Sequence, residues 1–210
     1  MSAKASPILT ILGFPVVLAI GIVLIPVVAD YSDHELAEQA VGQTARWFSG
    51  HLIAAMGFAL SIMAVVSIDR HLRLSSRPLP AMTLPCIAVG AGLYAAGLGA
   101  DGIGPVAVRS EGYSPSVFFD GSGLWVTGVF IAGTILFGIG LLSLVIGSIR
   151  LGLLRGWSRH AAFVSALVFM VAPAIPSGWA LYGVAVAVFG VFVPFALAVH
   201  RDEGVSVLRL

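Results

Sequence analysis

Five stretches of this chain are so long and so apolar that they dictate the rest. They run over about residues 7–28, 47–68, 79–100, 124–149 and 161–199. A helical crossing of a bilayer takes about 20 mostly apolar residues. Lipid offers no partner to a backbone N–H or C=O outside the helix's own ladder. The last stretch has about twice the length of a span, and Pro173, Pro176, Ser177, Gly178 and Trp179 interrupt it. It divides into spans of about 161–176 and 180–199. The sequence therefore predicts an all-α integral membrane protein, a compact bundle of six transmembrane helices forming one domain over residues 1–210. The first span is read as retained rather than cleaved. Its apolar core exceeds the roughly 7–15 residues of a signal peptide, and Pro15 and Pro26 interrupt it.

The residues between the spans set the orientation. Charged residues are only 10% of the chain and mean hydropathy is +1.03, where a soluble domain carries about 25% charge. Lys4, Arg70, Arg73, Arg77, Arg150, Arg155, Arg159, Arg201 and Arg209 fall on one face of a six-span map, and only Arg46 and Arg109 on the other. Arginine and lysine stay on the cytoplasmic side, so both termini are expected there, in a prokaryotic cytoplasmic membrane. Trp47, Trp125 and Trp179 mark the outer boundary and Trp157 the inner one, because amphipathic rings favour interfaces. The single cysteine, Cys86, excludes an intramolecular disulfide framework, a multi-cysteine metal centre and thiol exchange within the chain. The partners read from this map are the lipid bilayer and either another membrane protein or further copies of the chain. Nucleic acid is not among them.

Two connectors stand on the outer side. Residues 30–46 hold Asp30, Asp33, His34, Glu35 and Glu38 and read as a short surface helix after Ser32. Residues 101–123 read as a long extracytoplasmic loop that folds back as a lid, with Gly102, Gly104 and Pro105 stopping the preceding span. Small residues inside the spans predict where helices meet, since they let backbones approach closely in lipid. Ala88, Gly92, Ala96 and Ala100 recur every four residues, with Ala91, Ala95 and Gly99 beside them. That run predicts a central helix touched on several sides. Gly50, Ala54 and Gly57 form a similar row in the second span.

An ionisable side chain within a membrane marks a functional position by default. His51 lies about one turn inside the second span, next to the small-residue row. Asp30 and Asp101 are placed near the same leaflet. Together they form a candidate polar site able to carry a proton, hold a metal ion or orient a polar ligand. The competing reading has both aspartates capping helix ends and His51 bonded to a backbone carbonyl. Asp30, His34 and Glu38 fall at i, i+4 and i+8, which on one helix would line a weak cation site or a solvated acidic face. His71, His160 and His200 each adjoin an arginine at an inner boundary, as interfacial residues do. A haem between helices usually takes two histidines at matching depth, and only His51 lies within a span. No cofactor is assigned.

These features favour a non-catalytic accessory, sensor or scaffold protein of the membrane. A small transporter or channel is the first alternative, resting on Gly128, Gly133, Gly138 and Gly140 in the fourth span. A membrane enzyme or cofactor-binding protein acting on a lipid-soluble molecule is the second, with its site near the outer leaflet at His51 and Asp101. A cavity beside His51 would favour the enzyme, a water-filled route the transporter, and a sealed bundle the accessory role.

Overall fold

The computed structural model describes residues 7–31, 33–74, 78–175 and 177–207. Its helices are α1 (Pro7–Leu24), α2 (His34–Gly42), α3 (Thr44–Leu74), α4 (Thr83–Ser110), α5 (Ser116–Arg150), α6 (Trp157–Val171) and α7 (Trp179–Val207). No strand occurs among the described residues. Five helices, α1, α3, α4, α5 and α7, are long and apolar enough to cross a bilayer. The chain is thus an integral membrane protein. The apolar α6 has 15 residues, or about 22 Å at 1.5 Å per residue, and a 3₁₀ turn over Ala172–Ala174 extends it. Where the sequence placed this span at 161–176, the helix starts four residues earlier, at Trp157, and ends at Val171, ahead of Pro173.

The six helices other than α2 pack in chain order into a closed ring, α1 against α3, α3 against α4, α4 against α5, α5 against α6, α6 against α7, and α7 back against α1. Each contributes one ring to an aromatic plug on the axis: Phe14, Phe58, Tyr94, Phe137, Phe169 and Phe192. Phe58 and Tyr94 stack with centroids 4.2 Å apart. Phe137 meets Phe14, Phe58, Tyr94 and Phe169 at 5.9, 5.4, 6.1 and 5.1 Å. All six rings are buried. Such offset and edge-on pairs add about 0.5–1.5 kcal/mol each beyond the area they bury.

Bare backbone fixes the closest crossings. A Cβ on Gly21 of α1 would come within 2.4 Å of the Ala54 nitrogen on α3, and one on Gly57 within 2.8 Å of the Leu18 nitrogen on α1. Gly50 meets Ile25 in the same way. The row Gly50, Ala54 and Gly57 therefore lies against α1. A second crossing joins Gly90 of α4 to Phe137 and Gly140 of α5 to Ile87.

Two expectations are corrected here. In place of a loop over 101–123, α4 continues through Asp101, Gly102, Gly104 and Pro105 to Ser110, and α5 begins at Ser116. Only residues 111–115 remain as a turn. The carbonyl that Pro105 leaves without a backbone donor accepts instead from the Trp47 indole, so the helix need not stop. Nor is α4 central. It sits in the ring with Ile87, Ala91, Tyr94 and Leu98 turned inward. Ala88 is partly buried and Gly92 and Ala96 are exposed. The large side chains fill the interior, so the small-residue row on the neighbouring face is left outside. Cβ atoms on Gly92 or Gly99 would meet nothing within 4 Å.

Candidate functional site

The site is built where α3 starts, under α2. Asp33 caps α2, its carboxylate accepting from the Glu35 and Leu36 amides at 3.0 and 3.3 Å. Ala37, Ala40 and Val41 on the underside of that helix pack with Val28 and Trp47 into a small core of their own. Trp47, expected as an exposed boundary marker, is fully buried instead. Its indole Nε1 donates to the Asp101 carbonyl at 2.9 Å. In a regular helix that carbonyl would accept from the amide four residues on. Residue 105 is a proline with no N–H. The Trp47 indole thus takes the place of the missing backbone donor, and α4 runs on through its glycines and proline.

His51, two turns into α3, is 3% exposed. Its Nδ1 lies 2.7 Å from the Trp47 carbonyl. A carbonyl only accepts, so Nδ1 carries a hydrogen. Its Nε2 lies 3.3 Å from Oδ2 of Asp101, whose side chain is 22% exposed. With Nδ1 turned to the backbone, Nε2 is the ring nitrogen that faces the Asp101 carboxyl and links α3 to α4. The Trp47 and His51 rings lie 4.5 Å apart by centroid, closing the far side of the imidazole. Gly102 makes the approach of the two helices feasible: a Cβ there would sit 2.7 Å from His51 Cβ. Tyr31, in the connector before α2, completes the cluster. Burial first, and then the charge of Asp101, push its hydroxyl above the usual tyrosine range.

The acidic side chains of α2 do not assemble a cation site. Asp30 lies exposed on the connector, and α2 begins only at His34, so the i, i+4, i+8 relation has no continuous helix to act on. His34 Nδ1 faces Asp120 of α5 at 3.5 Å. Glu38 accepts a hydrogen bond from the Ser114 hydroxyl in the α4–α5 turn. That bond holds the Glu38 carboxyl below its ordinary range against the opposing desolvation, with Ser116 and His34 adding lesser effects in the same downward direction. Among the described residues no group of three His, Cys, Asp or Glu side chains is placed to hold a metal ion. These side chains instead tie α2 down over α4 and α5, as does Arg109, whose guanidinium covers Gly42.

The structure thus brings His51 and Asp101 together, and adds Trp47, Tyr31 and Gly102, which the sequence reading missed. One signal was available: a proline four residues after Asp101 leaves a carbonyl that needs a foreign donor. A cleft of about 230 Å³ beside α2 is lined by Pro26, Leu36, Gln39, Gln43 and Arg46 among others, and neither His51 nor Asp101 contributes to it. Structurally, the cluster is a polar brace between α3 and α4. No protein-family model, curated protein or solved structure matches the chain.

Proposed function

We propose that this chain is a non-catalytic scaffold of a cell membrane, crossing it six times with both tails cytoplasmic, and that α4 docks a transmembrane helix of a partner protein. The observation that carries this reading is the outward row Gly92, Ala96 and Ala100, which is exposed. In lipid, helix association depends on backbones coming close, and small residues at four-residue spacing allow it. Glycine within a helix costs about 1 kcal/mol relative to alanine, and the intramolecular fold makes no use of the space at Gly92.

Two features weigh for the scaffold over its rivals. The aromatic plug occupies the axis a transporter would need to open. His51 is held between the Trp47 carbonyl, the Asp101 carboxyl and the Gly102 backbone, and neither it nor Asp101 lines the cleft beside α2. The sixth crossing is supported by the Gly178 amide, which donates to the Val28 carbonyl at 2.7 Å. This bond puts the α6–α7 turn at the same end of the bundle as α2. Cytoplasmic tails follow from the arginine bias.

The test is site-specific photo-cross-linking in native membranes, with the probe at Ala96 and, as control, at Val186, an exposed position on α7. The expected result is a protein adduct of one discrete mass from position 96 and lipid adducts alone from 186. Lipid adducts alone from both positions would overturn the docking reading.

A further inference from the structure

At the end of the bundle opposite α2, the ends of α3, α5, α6 and α7 enclose a second cavity, of about 290 Å³. His71 stands 20 residues along α3 from His51, about 30 Å away at 1.5 Å per residue, so this cavity is separate from the site above. Its rim carries Arg155, Arg201 and His71, and its floor is apolar, with Leu72, Leu153 and Leu197. No acidic side chain is among its described lining residues.

The rim is held in place locally. Arg155 Nε donates to the Gly152 carbonyl at 2.6 Å, which folds the guanidinium back over the turn. Gly152 sits at φ +76, a left-handed conformation that glycine adopts without the clash a Cβ brings. Two residues after Arg155, α6 begins at Trp157 behind Gly156, which has no side chain to cap it. The uncapped first turn points its N–H groups and the positive end of the helix dipole outward. Ser158, also a lining residue, braces the same turn: its hydroxyl donates to the Arg155 carbonyl at 2.6 Å and accepts from the Arg155 amide at 3.2 Å.

A basic rim over an apolar floor, at the level where spans leave the membrane, matches one class of ligand. Basic pockets between transmembrane helices bind the head groups of anionic lipids. We propose that this cavity binds the phosphate of an anionic phospholipid, with Arg155 and Arg201 on the phosphate and the acyl chains leaving along α7. The inference is independent of the docking role proposed for α4.

The experiment is native mass spectrometry of the delipidated full chain, titrated with dioleoylphosphatidylglycerol, dioleoylphosphatidylcholine or inorganic phosphate. The wild-type chain is expected to retain one phosphatidylglycerol in preference to phosphatidylcholine. Arg201→Gln, and separately Arg155→Gln, should each weaken that retention roughly fivefold. Arg46→Gln at the α2 end should leave it unchanged. Arg155 also braces its turn, so circular dichroism accompanies each variant, and the exposed Arg201 supplies the cleaner test. Equal retention of the two lipids would overturn the proposal, as would unchanged retention in Arg201→Gln. Displacement of the lipid by inorganic phosphate, with the same dependence on the arginines, would reassign the cavity to a free anion and overturn the lipid claim.

Discussion

At the scale of single residues, the α2 end depends on substituting one donor for another. Pro105 removes an amide from the helix ladder, and Trp47 supplies an indole N–H to the Asp101 carbonyl in its place. Trp47→Phe keeps most of the ring but strands that carbonyl, and a buried polar group left unmade costs about 1–3 kcal/mol. Thermal unfolding in detergent should show that loss. Adding Pro105→Ala restores the backbone donor, so the double variant should recover part of it. A double variant no more stable than Trp47→Phe alone would contradict the assignment. Tyr31 gives a pH signature. Its hydroxyl titrates higher in the folded chain, because of burial and then Asp101. An unfolded tyrosine ionises near about pH 10. Its contribution is therefore complete below about pH 10 and is lost as pH rises beyond that. Tyr31→Phe should flatten the alkaline limb of the unfolding profile, and an unchanged limb would refute the placement. His51 and Asp101 were legible because ionisable groups are so scarce in this chain. Trp47 and Tyr31 were not, since an aromatic near a span boundary reads equally well as an interface anchor.

At the scale of elements, α4 shows what a small-residue pattern settles and what it leaves open. The pattern identified a helix that something approaches closely, but not which of its faces. Gly90 and Gly92 differ by two positions and lie on opposite sides. A Cβ on Gly90 would reach within 2.4 Å of the Phe137 backbone nitrogen, while one on Gly92 meets open space. Gly90→Ala is expected to destabilise the purified chain by about 1–3 kcal/mol, as overpacking does. Gly92→Ala should be neutral or stabilising by up to about 1 kcal/mol, through helix propensity. Comparing the two melting temperatures checks this, and equal effects would contradict the assigned faces. The end of α4 was misread because Gly and Pro stop helices in water, whereas here a neighbouring side chain re-satisfies the freed carbonyl. The presence of α2 was legible as a short helix after Ser32, but its cap is Asp33 and its end at Gly42, just before α3, was not read from the sequence.

At the scale of the whole molecule, hydropathy revealed the spans but not their order around the axis. The ring closes because α7 returns to α1. The centre is filled because each of the six ring helices turns one aromatic inward: Phe14, Phe58, Tyr94, Phe137, Phe169 and Phe192. Those rings are visible in the sequence, yet their inward direction depends on neighbours that only the fold supplies. The short α6 decides the topology. If it crosses, Ser177 emerges beside α2. If it does not, Ser177 stays on the side of Arg159. The most direct measurement is labelling of single cysteines at Gln39, Arg159 and Ser177, with Cys86 replaced by serine, using a membrane-impermeant maleimide on sealed, right-side-out vesicles. The account expects Gln39→Cys and Ser177→Cys to label from outside, and Arg159→Cys only after the vesicles are opened. Ser177→Cys labelling together with Arg159→Cys, and apart from Gln39→Cys, would contradict it.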